Sequence, residues 1–272
     1  MNRKDWGNAK KSNMANTVSA PCLNITKLGI VSRDYRRKYE NGYRDFSHTL
    51  PDVLKLLDKK GCDAVLFSLF SIIPRETLRI LDALGGLKSI KAVFLEEFQD
   101  GGKRDAGRYV VYHRTTKGWS EYDFHQRFAT LTGTPRRELD DFVNEEMKNR
   151  ILGNCCVLLC GETNGVKYSP KNKRVEDPFG VRATIPSKTK LVLNPIHDRM
   201  TRFEMKLKRQ FLSEKSRWVI SVWNKGKEDK NGKVRDGKNP AWTVFHNRKE
   251  KNVDLIQNQL GLEIGVLEFK KA

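Results

Sequence analysis

The 272-residue chain has no apolar run approaching the roughly 18 residues that a membrane-spanning helix needs, so no membrane helix is expected. The charged residues of Met1–Lys11 are not followed by an apolar core, so no secretory leader is expected either. Phosphate-loop signatures are missing. There is no GxxxxGK[ST] and no GxGxxG, and Gly85-Gly86 and Gly101-Gly102 are isolated turn pairs. Cysteine is sparse and odd in number: Cys22, Cys62, Cys155, Cys156 and Cys160. Three of the five fall in one apolar run, which fits a reducing, cytoplasmic compartment better than a disulfide scaffold. No CxxC pair has a partner pair, and no His/Asp/Glu spacing suggests a metal, so neither a metal nor another cofactor is expected. Negative charge is also scarce. Against 33 Asp and Glu stand 52 Lys and Arg, a net charge of +19. Such an excess points to a polyanionic partner, with nucleic acid the commonest, or to a basic surface kept for solubility.

What is present is a folded α/β pattern. The 38% of hydrophobic residues, with 13 Phe and 5 Trp, is enough to build a core and argues against global disorder. Residues 1–22, rich in Asn, Lys and Ser, read as a flexible basic arm, and 23–272 as one domain. Strands are expected at Leu23–Val31, Cys62–Ser71, Ile90–Leu95, Arg108–His113, Cys155–Cys160, Leu191–Asn194, Trp218–Trp223, Trp242–Phe245 and Gly265–Phe269. Pro51 opens a helix that carries Val53, Leu54 and Leu57 on one face, and Pro74 opens a second. Helices are also expected at 136–150, at 199–215 with Met200, Phe203, Leu207 and Phe211 as its apolar stripe, and at 252–260. The stretches 163–188 and 225–238 read as long polar loops. Apolar strands alternating with helices along the whole chain predict an α/β fold around one core.

The sharpest chemical feature is Val157-Leu-Leu-Cys160-Gly-Glu162. A thiol ends a buried strand, where ligands of α/β sheets bind, and an acid follows two positions later. A cysteine so placed suits a nucleophile, although buried cysteine is also common as a small hydrophobe, the role expected of Cys155 and Cys156.

From Leu23 onward the order of elements resembles the nitrilase (carbon–nitrogen hydrolase) superfamily. Ala64–Phe70 is similar to the strand that normally ends Phe-Pro-Glu, and Arg108–Thr115 to the strand ending in the family's lysine. Val157–Glu162 resembles the nucleophile strand, and Pro195-Ile-His197 and Val222-Trp-Asn224 resemble the strand ends that follow. The resemblance implies an αββα sandwich and a homodimer. It also implies a Glu base, a Lys that stabilises the oxyanion and a Cys nucleophile. Here Leu69 stands in the base position, Arg114 aligns with the lysine, Lys117 is the nearest lysine, and Gly161 replaces an aromatic residue. Two outcomes follow. Either Glu96, Glu97 or Glu162 supplies the base and Arg114 or Lys117 the oxyanion cation around Cys160, or the fold has lost amidase chemistry and serves as a binding module. In the active case the substrate carries a C–N bond and is anionic or nucleotide-bearing. His197 joins the candidates because Asn194-Pro-Ile-His-Asp-Arg-Met200 clusters polar side chains at a strand end, where an imidazole can orient a substrate or shuttle a proton.

Basic residues gather in two places. Residues 199–251 hold 16 Lys and Arg against 6 Asp and Glu, and Arg33–Arg44 interleaves arginines with Tyr35, Tyr39 and Tyr43. Arg33, Arg36, Arg37, Arg199, Arg202, Lys206 and Arg209 are the expected contacts to nucleic acid or another anion, with Arg202, Lys206, Arg209 and Arg217 sharing a solvent side of the helix over 201–217. Glu146-Met-Lys148 and Glu204-Met-Lys206 match the Glu-x-Lys pair of some metal-dependent nucleases, but they fall on expected helices and are read as chance.

Overall fold

A computed structural model describes residues 19–34, 36, 45–73, 80–98, 107–129, 133–197, 203–226, 231–234 and 240–269. The first sheet contains β1 (Lys27–Ser32), β2 (Ala64–Phe67), β3 (Ala92–Glu97), β4 (Arg108–Thr115) and β5 (Gly118–His125), which take the order β1-β2-β3-β4-β5. The second is built from β6 (Ile151–Leu152), β7 (Cys155–Val157), β10 (Leu191–Pro195), β11 (Trp218–Val222), β12 (Trp242–His246) and β13 (Lys249–Lys251), in the order β13-β12-β11-β10-β7-β6. Between β7 and β10 the chain makes a separate hairpin of β8 (Lys167–Ser169) and β9 (Arg174–Glu176). After β13 it returns to the first sheet as β14 (Leu255–Ile256) and β15 (Glu263–Glu268), with β15 antiparallel to β1.

The two sheets pack face to face. One buried cluster joins Leu28, Ile30, Leu66 and Phe94 of the first sheet to Val157, Leu193, Ile220 and Val244 of the second. Because strand side chains alternate, the opposite faces must be covered too. On the first sheet Val31, Val65, Val93 and Leu95 lie under α1 (Leu50–Lys59), which buries Leu50, Val53, Leu54 and Leu57, and beneath Leu84 of α2 (Ile80–Gly85). On the second, Cys156, Val192, Val219 and Phe245 lie against Leu139 of α3 (Arg136–Asp141), the π-turn Phe142–Glu146, Met147 of α4 (Met147–Arg150), Val181 of α5 (Val181–Thr184) and Leu212 of α6 (Phe203–Leu212). This is the expected αββα sandwich. Strands β1, β2 and β3 run parallel, as do β7, β10 and β11. Ser32 Oγ reaches the Trp223 carbonyl at 2.5 Å, and the Asn224 amide donates to the Leu69 carbonyl at 2.8 Å, so the carboxyl ends of both sheets meet at one rim.

Several local expectations change. Residues 252–260 form no helix. Leu255–Ile256 pair with β15, and the Asn258 side chain takes up the Ile256 and Leu262 carbonyls at 3.1 and 2.9 Å, which turns the chain. Gly118–His125, inside a stretch of mixed pattern, is a full strand. The polar stretch 163–188 holds the β8–β9 hairpin and α5. α6 buries Met205, Lys208, Arg209 and Leu212, while Phe203 is 67% exposed, so the helix turns a different stripe inward from the expected Phe203, Leu207 and Phe211. No helix of the described residues is long and apolar enough to cross a membrane.

Candidate active site

The rim brings together Cys160, His197 and Glu96. β7 stops at Val157, and the chain passes through Leu158 and Leu159 before Cys160 opens the 3-10 turn Cys160–Gly165. Cys160 has φ +35°, in the left-handed region that side chains rarely adopt, so the turn lifts its half-buried thiol out of the line of the strand. Buried groups hold this turn. The Glu162 carboxylate accepts the Leu159 N–H at 2.8 Å, the Arg127 N–H at 2.9 Å and the Arg150 guanidinium at 2.8 Å. Asn194 of β10 donates to the Leu158 carbonyl at 2.6 Å and accepts the Ser221 hydroxyl at 3.0 Å. Gly161 lies so close to Ala129 that an added Cβ would sit 2.1 Å from the Ala129 carbonyl oxygen, which is why the residue after the thiol has no side chain.

His197 follows β10 by two residues, and its Nε2 lies 3.2 and 3.1 Å from the two carboxylate oxygens of Glu96, at the end of β3 in the other sheet. Glu96 is 3% exposed, and its carboxylate also accepts the Phe70 N–H at 2.5 Å. The Phe70 ring covers the imidazole with centroids 4.2 Å apart. Burial works against a charged imidazole here, but hydrogen bonding to the Cys160 sulfur and then to Glu96 outweighs it and raises the His197 pKa to about 9. At neutral pH the imidazole is therefore protonated, with its Nε2 bonded to the Glu96 carboxylate. This is the geometry of a nucleophile, an acid–base group and the residue that orients it.

The other sequence-derived candidates lie elsewhere. Glu162 is completely buried and paired with Arg150, so it braces the turn rather than facing a reactant. Glu97 is on the opposite face of β3 from Glu96 and is held by Arg108 at 2.9 Å and the Tyr112 hydroxyl at 2.6 Å. β4 runs antiparallel to β3, so Arg114 and Lys117 sit at the end remote from Glu96. There Arg114 donates to the Leu87 carbonyl at 3.0 Å, and Lys117 lies in the exposed β4–β5 turn. Leu69, in the base position, is buried in the core between the sheets.

The expected anion-binding set is also dispersed. Arg33 is 3% exposed and donates to the Phe70 carbonyl at 3.1 Å, which places it behind the site as a support. Arg36 is exposed but paired with Asp34. Arg209 is buried, donates to Thr243 at 2.9 Å, and has its pKa pushed down to about 9 by burial. Arg217, also buried, donates to the Ile185 carbonyl at 2.6 Å. Lys206 is at the surface, 3.3 Å from Glu250. Arg37, Arg199 and Arg202 lie outside the described residues. Among the described residues no group of three or more His, Cys, Asp or Glu could hold a metal ion. A cleft of about 740 Å³ opens along the same rim on the β1–β15 side, between Arg33, Lys225, Asn258 and Glu263.

No family model matches this sequence, and no curated protein is significantly similar to it. Solved structures are similar. A CN-hydrolase superfamily protein from Xanthomonas campestris, described with an arsenic adduct in its active site, matches at 13% identity over 91% of each chain, with a TM-score of 0.51. A carbon–nitrogen hydrolase from Helicobacter pylori matches at 9% identity over 90% of this chain and 89% of the other, with a TM-score of 0.49. An amidase from Nesterenkonia sp. matches at 12% identity over 91% and 92%, with a TM-score of 0.47. The fold is therefore that of the carbon–nitrogen hydrolase superfamily. At such identities the likeness is one of architecture, and the site has to be read from its own side chains.

Proposed function

We propose that this chain is a divergent member of the carbon–nitrogen hydrolase superfamily and a thiol hydrolase of an amide-type C–N bond, with Cys160 as nucleophile. The observation that carries this reading is the His197 imidazole bonded to the Glu96 carboxylate at 3.1 Å and kept protonated by that carboxylate together with the Cys160 sulfur. The Cys160 sulfur attacks the amide carbon as His197 takes up the thiol proton. The C–N bond breaks as His197 returns that proton to the leaving nitrogen, leaving a thioester on Cys160 and a neutral imidazole. His197 then takes a proton from water, the hydroxide displaces the sulfur, and a carboxylic acid is released. Glu96 keeps Nε2 aimed and stabilises the imidazolium in both halves of the cycle. The net charge of +19 favours a substrate that itself bears negative charge.

The test is ammonia release from a panel of primary amides with neutral, carboxylate-bearing and phosphate-bearing acyl groups. Turnover that disappears in Cys160→Ala supports the proposal. No release above the Cys160→Ala background from any amide, together with no covalent adduct at Cys160 by mass spectrometry, overturns it.

A further inference from the structure

The turned stripe of α6 leaves an aromatic ring on the surface against a lysine-bearing hairpin. Phe203, at the start of α6, is 67% exposed, and Tyr168 of β8 stands edge-on to it with centroids 6.4 Å apart. The hairpin that carries Tyr168 also carries Lys167, across from Glu176, and Lys171 and Lys173 in its turn; all three lysines are exposed, and Lys171 and Lys173 are in no ion pair among the described residues. Lys208 of α6 crosses to the Asn164 side chain at 2.9 Å; burial lowers its pKa, Glu204 opposes that shift, and Lys167 adds slightly to it. Two acidic groups, Glu176 and Glu204, lie near this surface and compensate Lys167 and Lys208 in part, which leaves the hairpin-turn lysines Lys171 and Lys173. Glu176 is taken up by Asn172 at 2.6 Å and Arg174 at 3.4 Å, and Glu204 faces Lys208.

We infer that the face formed by the β8–β9 hairpin and the start of α6 is a binding surface for single-stranded nucleic acid. Lysines on a projecting hairpin follow phosphates, and an exposed ring beside them gives an unpaired base a stacking platform. An acidic protein would use the lysines but has no need of an aromatic ring held in water. Double-stranded nucleic acid has no unstacked base to offer. This inference does not depend on the chemistry proposed for Cys160, although the turn Cys160–Gly165 leads directly into β8.

The test is fluorescence anisotropy of the full chain with a labelled 20-nucleotide oligo(dT) and oligo(U) between 50 and 300 mM salt, with polyglutamate as competitor. Binding should weaken steeply with salt. Phe203→Ala should weaken it about tenfold at an unchanged salt slope, as expected for one lost stacked base. Lys171→Ala/Lys173→Ala should flatten the slope by about 0.7 for each phosphate contact removed. Cys160→Ala should bind like the parent, which separates this result from the fate of the catalytic proposal. Circular dichroism checks that each variant is folded. No binding at 50 mM salt, displacement by equimolar polyglutamate, or affinity untouched by the folded Phe203 and lysine variants would each overturn the inference.

Discussion

Glu96 and His197 come from different sheets and meet at the rim, with the imidazole Nε2 3.1 Å from a carboxylate oxygen. β3 and β10 are not neighbours in either sheet, so their contact exists only because the two sheets stack with their carboxyl ends together. The proposed chemistry is thus a product of the sandwich rather than of any contiguous motif.

Removing the carboxylate should change a pH profile. The account requires a protonated imidazole to return a proton to the leaving nitrogen, so kcat/KM should fall as pH rises through about 9. In Glu96→Gln this alkaline limb should move down by at least about one unit, because one of the two groups holding the proton is lost. A limb that stays in place would show that Glu96 does not act on His197.

The same proton links pH to stability. The folded-state pKa of His197 lies above its ordinary value of 6.5, so the folded chain binds the proton more tightly than the unfolded one. That contribution is fully present below pH 6.5 and is lost as pH rises through about 9, and it amounts to at most on the order of 3 kcal/mol. Urea unfolding at pH 6.5, 8 and 9.5 should show parent and His197→Ala converging in stability as pH rises. Parallel curves would contradict it.

The buried Arg150–Glu162 pair should behave as a unit. Arg150→Met leaves a carboxylate in the core without its cation and should cost about 3–5 kcal/mol in urea unfolding, whereas Arg150→Met/Glu162→Gln should recover much of that loss. If the double variant is as unstable as the sum of its parts, the pair is not coupled as described.

Gly161→Ala tests the turn itself. Its methyl group would meet the Ala129 carbonyl at 2.1 Å, so the turn carrying Cys160 has to move. A displacement of about 1 Å at a reacting atom can cost on the order of a hundredfold in rate, so amide turnover should fall by that order while the far-UV spectrum is unchanged. Full activity in this variant would show that the position of Cys160 is not set by that contact.

Much of this architecture was legible in the chain. Continuous apolar runs such as Ala64–Phe67 and Cys155–Val157 announced strands covered on both faces, and the resemblance supplied the order of elements. The strand end bearing Cys160 and the turn bearing His197 were legible for the same reason. Glu96 was one of three acids open for the base role, and parity could not select it. On β3, Ala92, Phe94 and Glu96 alternate with Val93, Leu95 and Glu97, and both faces are apolar, so nothing local tells which face meets the other sheet. The arginines misled for a related reason. Arg33, Arg209 and Arg217 look like surface cations but are buried over aromatic rings or bonded to backbone carbonyls, which only the tertiary structure supplies. In α6 the stripe Met205, Arg209 and Leu212 is as regular as the one led by Phe203, and packing chose the one that contains a charge.

The most direct test is the rate and site of alkylation by iodoacetamide at pH 7, read by peptide mass spectrometry, with the exposed Cys22 as internal reference. The account predicts that Cys160 is modified well ahead of Cys22, and that His197→Ala slows Cys160 by at least about tenfold while leaving Cys22 unchanged. Cys22 reacting as fast as Cys160 in the parent, or a Cys160 rate indifferent to His197, would contradict it.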